Sequence, residues 1–314
     1  MRRTGLTGLD GMARFYFVPH TTRKRGIYMA QERKPVTTVK LQKMKASNEP
    51  IAMVTAYDFL SARLADEAGV DMILVGDSLG NVIQGQESTL PVTLDEIIYH
   101  TKMVTRAVKS AFVIADMPFM TYHGSLDHTL HNAGRIMREG LAKGIKLEGG
   151  EELAPAVKAL TLAGVPVIGH LGLTPQSVHV IGGYRVQGKN SEQARKMLKD
   201  AKALQEAGAI AVVLELITEE LAEWITNQLS IPTIGIGAGA SCDGQVLVFH
   251  DMLAYDPDDR RKKFVKVYAE VGRAIRDGFG DYVNDVKSRK FPSESHGFKG
   301  DNEVLQYLYG STLK

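Results

Sequence analysis

The chain has 314 residues, 44% hydrophobic and 24% charged, a globular composition that supplies one large core and leaves little room for a second full domain. Its 38 basic and 36 acidic residues leave a net charge of +2, too weak a field to favour nucleic acid or an anionic membrane, so small-molecule partners are expected. The single Cys242 excludes an internal disulfide and any multi-cysteine zinc site, suits a reducing, cytoplasmic setting and reads as a packing residue; no apolar run approaches the roughly 20 residues that span a bilayer.

Residues 1–35 carry Arg2, Arg3, Arg14, Arg23, Lys24, Arg25, Arg33 and Lys34 among scattered glycines, with no sustained apolar period, and are expected to form a disordered extension. They read as a true extension, an organelle-targeting segment or translation from an upstream start with Met29 as the natural first residue. Asp10 and the lack of a long Arg/Ser amphipathic pattern speak against targeting. Residues 36–314 are expected to form a single catalytic domain with a peripheral C-terminal segment.

Within that domain, short apolar, β-branched runs recur at residues 51–55, 72–76, 112–115, 145–147, 165–169, 210–214, 233–236 and 246–249. Helical patterns lie between most of them, at 59–68, 94–108, 126–143, 152–163, 191–207 and 218–229, and Gly69, Gly164 and Gly208 supply left-handed stops. Strands that are nearly continuously apolar, alternating with helices, imply a parallel sheet covered on both faces. Eight such units predict a parallel (β/α)₈ TIM barrel, with a doubly wound open sheet as the alternative. Residues 41–45, with Thr37 or Thr38 ahead of them, read as a capped helix closing the bottom of the barrel.

Four strands run straight into a carboxylate, giving Asp77, Asp116, Glu148 and Glu215, and another ends in Ile168-Gly169-His170. A single acidic residue in such a place is as often a helix cap or a solvated loop charge, but together these groups would share the carboxyl-end rim where barrel enzymes build their sites. Like charges brought that close either raise a pKa or recruit a cation, and hard divalent ions prefer oxygen, so Asp77, Asp116 and Glu148 are candidate magnesium ligands. Zinc does not suit a set with His170 as its one nitrogen. Gly76 and Gly80 flank Asp77 and Ser78 and remove bulk from the path of an approaching ligand. Lys146, two residues before Glu148, must point to the same side of its strand, the alternative being a surface lysine that snorkels outward.

Several blocks are distinctive: Val75-Gly76-Asp77-Ser78-Leu79-Gly80, Thr89-Leu90-Pro91-Val92-Thr93, Ala115-Asp116-Met117-Pro118-Phe119-Met120 and Lys146-Leu147-Glu148-Gly149-Gly150. They are followed by Gly169-His170-Leu171-Gly172-Leu173-Thr174-Pro175-Gln176-Ser177, Gly182-Gly183-Tyr184-Arg185-Val186-Gln187-Gly188, Ile234-Gly235-Ile236-Gly237-Ala238-Gly239 and Val248-Phe249-His250-Asp251. Over residues 36–295 the chain resembles the ketopantoate hydroxymethyltransferase family. The segments around His123-Gly124-Ser125, Leu216-Ile217-Thr218 and residues 256–259 depart from the commoner wording without replacing a candidate site residue, and the N-terminal extension has no counterpart.

The resemblance implies transfer of a hydroxymethyl group from 5,10-methylenetetrahydrofolate, consumed as cosubstrate, to 3-methyl-2-oxobutanoate, giving 2-dehydropantoate for pantothenate and coenzyme A synthesis. It implies one magnesium ion per subunit held by Asp77 and Asp116, with Glu148 completing the site directly or through water. Ser78 and Lys146, with Asp77 and Asp116, hold the oxo acid, and Glu215 is the proton acceptor. His170 is left between a substrate contact and a histidine that orients its neighbours. A magnesium-stabilised enolate agrees with this set, because an oxo acid chelates through its carboxylate and keto oxygens and becomes acidic at C3.

The family also implies a homo-oligomer, with peripheral helices as contact surfaces. Residues 235–239 lack dinucleotide-loop spacing and read as a loop under the substrate, while 182–188 read as a mobile flap. Two other functions stay open at this level. One is a magnesium-dependent lyase or aldolase acting on another oxo acid, distinguished by the folate donor. The other is a non-catalytic relative whose basic arm recruits nucleic acid, distinguished by salt-dependent binding that a chain starting at Met29 would lack.

Overall fold

A computed structural model describes residues 33–258 and 262–310, so the expectation of disorder over residues 1–35 falls almost wholly outside the described residues. The fold belongs to the unit Lys34–Lys314. Its strands are β1 (Ile51–Thr55), β2 (Met72–Val75), β3 (Phe112–Asp116), β4 (Gly144–Glu148), β5 (Val167–Gly172), β6 (Ala211–Glu215), β7 (Thr233–Ile236) and β8 (Gly244–Leu247). They pair in parallel and in chain order, and β8 returns to β1, so the sheet is a closed barrel of eight strands rather than an open one.

Alternation along the strands sorts their side chains into two cores. Met72, Leu74, Phe112, Ile114, Ile168, Ala211, Val213, Ile234 and Val246 fill the barrel, whereas Ile73, Val75, Val113, Ala115, Ile145, Leu147, Val167, Val212 and Leu214 face the helices. The inward register continues beyond Ile114, Ile168 and Val213 to Asp116, His170 and Glu215. It therefore delivers polar groups to the carboxyl end of a barrel whose middle is apolar.

Helix α1 (Thr38–Ala46) is capped by the Thr37 side chain, which accepts from Lys40 N, and its buried Leu41 and Met44 join the interior cluster, closing the opposite end. Around the outside run α2 (Phe59–Ala68), the single turn α3 (Leu79–Val82), α4 (Leu94–Ala107), α5 (Leu126–Gly140) and α6 (Ala154–Leu162). The single turn α7 (Val178–Ile181), α8 (Ser191–Glu206) and α9 (Glu219–Gln228) complete the cover. A reciprocal capping box between Thr93 and Glu96 starts α4.

After β8 come the single turn α10 (Phe249–Met252), then α11 (Val271–Lys287) and α12 (Asn302–Tyr309). The expected eighth strand, 246–249, starts two residues early at Gly244. There a Cβ would stand 2.5 Å from Ile51 O, so only glycine brings the backbone close enough to pair. Phe249 opens α10 instead, its N–H donating to Thr55 Oγ1. Helix α11 lies outside the helical patterns expected from the sequence; Gly272 is its buried residue, and Phe279 and Tyr282 stand exposed. Among the described residues no helix is long and apolar enough to cross a membrane.

Asp66, buried near the end of α2, ties that helix to the turn entering β3. Its carboxylate accepts the N–H groups of Lys109 (2.8 Å), Ser110 (3.2 Å) and Ala111 (2.8 Å). Asp66→Ala leaves these donors without their carboxylate and is expected to lower the unfolding free energy by about 3 kcal/mol. Denaturant unfolding measures this, and a loss under about 0.5 kcal/mol would show that water replaces the carboxylate.

Candidate active site at the barrel mouth

Asp77, Asp116, Lys146, Glu148, His170 and Glu215 converge on one cavity of about 1020 Å³ at the carboxyl ends of the strands, and Ser78 lines it too. The sheet register explains the neighbours, since Asp116 is level with Lys146 across β3 and β4, and Glu148 with His170 across β4 and β5. Asp77 lies two residues past β2, where its backbone N–H donates to Asp116 Oδ2 at 2.9 Å. Gly76 is required for that approach, because a Cβ there would lie 2.8 Å from Ser78 Oγ and 3.4 Å from Asp116 Oδ2. Gly80 serves a different purpose from the one expected. A Cβ on it would strike Val92 at 2.8 Å, so its missing side chain accommodates the chain's own packing.

Lys146 points inward and is buried, which excludes the snorkelling alternative. Its Nζ lies 2.9 Å from Asp116 Oδ1 and 3.6 Å from Glu148 Oε1, while His170 Nδ1 meets Glu148 Oε1 at 3.1 Å. These contacts divide the carboxylates electrostatically. Burial, then the charges of Asp116 and Glu148, push Asp77 well above the usual carboxylate range, and burial also raises Asp116 against the pull of Lys146. At Glu148 burial pushes up, but Lys146 and His170 outweigh it and the carboxyl is held down.

Burial and Lys146 push His170 down, yet Glu148 together with Glu215 carries it up to about 9, and its Nδ1 lies 3.1 Å from both Glu148 Oε1 and Lys146 Nζ. Its Nε2 is buried and faces Glu215 Oε2 at 3.2 Å.

The donor set suits a hard cation whose remaining ligands come from elsewhere. Asp116 Oδ1 pairs with the Lys146 ammonium at 2.9 Å, and Asp77 and Asp116 are the carboxylates that burial pushes up. Among the described residues no three His, Cys, Asp or Glu side chains are arranged to cage a metal by themselves. A magnesium ion, which keeps several waters and binds through one or two carboxylates plus its substrate, is compatible with that limit. Both Glu148 oxygens are already engaged, Oε1 by His170 and Oε2 by Gln176 N at 2.9 Å, which suits a contact through water.

Glu215 ends β6, four strands from β2 and so across the mouth from Asp77. Gly172 allows β5 to close on it, since a Cβ there, at φ +95°, would stand 2.2 Å from Glu215 O. Leu216 follows with φ 46°, a left-handed conformation that strains a leucine and turns the chain sharply after Glu215. The glycine-rich 182–188 segment lies alongside, with Gln187 N donating to Leu216 O at 2.8 Å and Tyr184 lining the cavity, and Ile236 of β7 forms part of the wall.

Reading strand ends for ionisable groups overlooks Tyr57, Tyr122 and Gln176. Tyr57 is two residues past β1, the same offset as Asp77 past β2, and its OH lies 2.8 Å from Ser78 Oγ. That offset was the available signal. Tyr122 and Gln176 sit in turns that no strand pattern reaches.

Residues 35–294 match the family described as Ketopantoate hydroxymethyltransferase. The 3-methyl-2-oxobutanoate hydroxymethyltransferase of Geobacillus sp. (strain WCH70) is 56% identical over 268 residues, covering 85% of this chain and 96% of the relative. That of Bacillus cereus (strain B4264) is 55% identical with the same coverage, 85% and 96%. Among solved structures, phosphoenolpyruvate phosphomutase from Streptomyces platensis subsp. rosaceus aligns with a TM-score of 0.54 at 18% identity, covering 88% of this chain and 96% of that one. A phosphonopyruvate hydrolase solved with oxalate and Mg++ aligns with a TM-score of 0.53 at 15% identity, covering 88% and 95%. At such identities these two speak to the barrel alone. The family match and the two close relatives go further: this chain belongs to the ketopantoate hydroxymethyltransferase family.

Proposed function

We propose that the chain transfers a hydroxymethyl group from 5,10-methylenetetrahydrofolate to C3 of 3-methyl-2-oxobutanoate, consuming one water and releasing tetrahydrofolate and 2-dehydropantoate on the way to pantothenate. The carrying observation is the division of one mouth between a buried aspartate pair and Glu215 across from it. Asp77 and Asp116 hold magnesium, one ion per subunit, and Glu148 supports the site through water. The ion supplies positive charge at the carboxylate and keto oxygens of the oxo acid and so stabilises the enolate oxygen as C3 is deprotonated. Ser78 and Lys146 bind the oxo-acid carboxylate, Lys146 having three protons to share among Asp116, Glu148 and the substrate.

Glu215 accepts the C3 proton. It is 16% exposed at its side chain against 3% for Asp116, the more open of two carboxylates that line the same cavity. Water cleaves both C–N bonds of the folate-borne methylene, releasing tetrahydrofolate and the carbon as formaldehyde; the C3 carbanion adds to that carbonyl carbon, and its oxygen takes up a proton to become the new hydroxyl. Tyr184, Leu216, Tyr255 and Phe264 line the same cavity, whose volume far exceeds a small branched oxo acid and suits a larger aromatic cosubstrate. Self-association is part of the proposal. Ile275, Phe279, Tyr282 and Val286 recur at helical spacing along α11 and stand exposed on the single chain.

Asp77→Ala and Asp116→Ala are each expected to weaken magnesium and oxo-acid binding together, by more than the ~10- to 100-fold that outer contacts typically cost. Calorimetric titration with each ligand reads this, and unchanged affinity for both removes that residue from the site. Glu215→Gln is expected to keep both affinities while slowing exchange of the C3 proton into deuterated water by about two to four orders of magnitude. NMR on the oxo acid with enzyme and magnesium, with and without tetrahydrofolate, follows the exchange; wild-type rates in the variant would move the base elsewhere, His170 first. Finally, replacing Phe279 and Val286 by Asp is expected to lower the particle mass seen by light scattering, and a wild-type chain already monomeric at working concentration would contradict the α11 contact.

A further inference from the structure

Gln176 makes four directional hydrogen bonds beside the carboxylates. Its amide Nε2 donates to Asp77 Oδ2 (2.8 Å) and to Met117 O (3.0 Å), its Oε1 accepts from Tyr122 OH (2.7 Å), and its backbone N–H donates to Glu148 Oε2 (2.9 Å). The residue is 6% exposed and sits in a short turn, Pro175–Ser177, that follows β5. It therefore ties together the carboxylates that come from β2 and β4, with β3 between them.

The direction of each bond is fixed by its neighbours. The Tyr122 oxygen accepts from Glu148 N at 3.2 Å, and its hydroxyl donates to Gln176 Oε1 at 2.7 Å, a shorter contact than the 3.2 Å to Glu148 O. A reversed amide would set its oxygen against both the Asp77 carboxylate and the Met117 carbonyl, so only one orientation is satisfied. Among the described residues the Asp77 side chain makes no other hydrogen bond, so Gln176 alone sets the rotation of that carboxylate and leaves Oδ1 without a protein donor. The chemistry also fits a glutamine. A neutral amide orients a carboxylate without the positive charge that would repel a cation, whereas Lys146 already supplies the charge the cluster needs when it is empty.

We propose that Gln176, held in one orientation by Tyr122, is a positioning residue that presents Asp77 Oδ1 to a divalent cation and fixes Glu148 beside it. The inference rests on the magnesium site of the proposed function. Removing the amide frees the Asp77 carboxylate to rotate and to take its compensation from Lys146, so cation affinity falls although no ligand has been lost.

The test titrates magnesium by calorimetry into the full-length wild-type chain and the Gln176→Met and Tyr122→Phe variants, without substrate. Gln176→Met is expected to lose about 10- to 100-fold in magnesium affinity, and Tyr122→Phe a smaller, several-fold amount because the amide keeps its contacts to Asp77 and Met117 and loses only the donor at Oε1. With both substrates present, raising magnesium should restore kcat in both variants while the magnesium concentration for half-maximal rate stays elevated. A merely structural role does not yield to added metal. Gln176→Met with wild-type affinity, or a deficit that saturating magnesium does not repair, overturns the proposal. If Gln176→Met fails to fold, Tyr122→Phe decides alone, and wild-type affinity there overturns it. A wild-type chain that binds no magnesium removes the metal site itself and this inference with it, an outcome distinct from wild-type binding with unaffected variants.

Discussion

Three carboxylates buried together at the end of a closed barrel are tenable because one ammonium is buried with them. Lys146 is in ion-pair range of Asp116 and Glu148, and without it the cluster would concentrate negative charge where the barrel interior provides little water. The compensation is uneven. Glu148, contacted by Lys146 and His170, is held as an anion, while Asp77 and Asp116 are pushed towards protonation. Burial thus bears most heavily on Asp77 and Asp116, the pair to which the proposed cation is assigned.

The rest of the architecture keeps this cluster in place and apart from Glu215. Closure of the sheet fixes the angular separation of β2 and β6, and strand alternation decides that Asp116, Lys146, Glu148, His170 and Glu215 all face inward. His170 spans the interval, contacting Glu148 through Nδ1 and approaching Glu215 through Nε2. The ring thus links the ends of β4 and β6 from its own place on β5. The close approach at Gly172 and the strained Leu216 then hold Glu215 at the edge of the cavity, so Glu215 and the buried aspartates come from different strands.

Most of this was legible in the sequence wherever a regular period carried the information. Asp116, Glu148 and Glu215 end strands, and a period of two suffices to infer that Lys146 and Glu148 share a face. The eighth strand was displaced in the reading because Gly244 looks like a breaker locally and acts as a pairing residue only when Ile51 lies against it. Gln176 and Tyr122 escaped for a related reason. Each stands in a turn, and nothing local to Thr174-Pro175-Gln176 says that its amide meets Asp77, which is 99 positions away in the chain. Helix α11 lies past the eighth strand, where the strand–helix alternation no longer calls for a helix, although Ile275, Phe279, Tyr282 and Val286 keep a helical period.

The central claim is that this mouth, loaded with a divalent cation, deprotonates an oxo acid for carbon–carbon bond formation with a folate-borne carbon. The most direct measurement is product formation by the purified full-length chain from 3-methyl-2-oxobutanoate and 5,10-methylenetetrahydrofolate, before and after chelation of divalent metal and again after magnesium is restored. The account predicts 2-dehydropantoate with stoichiometric tetrahydrofolate, loss of both on chelation, and recovery with magnesium. Product that persists undiminished in excess chelator, or none under any metal condition from a folded chain, would contradict it.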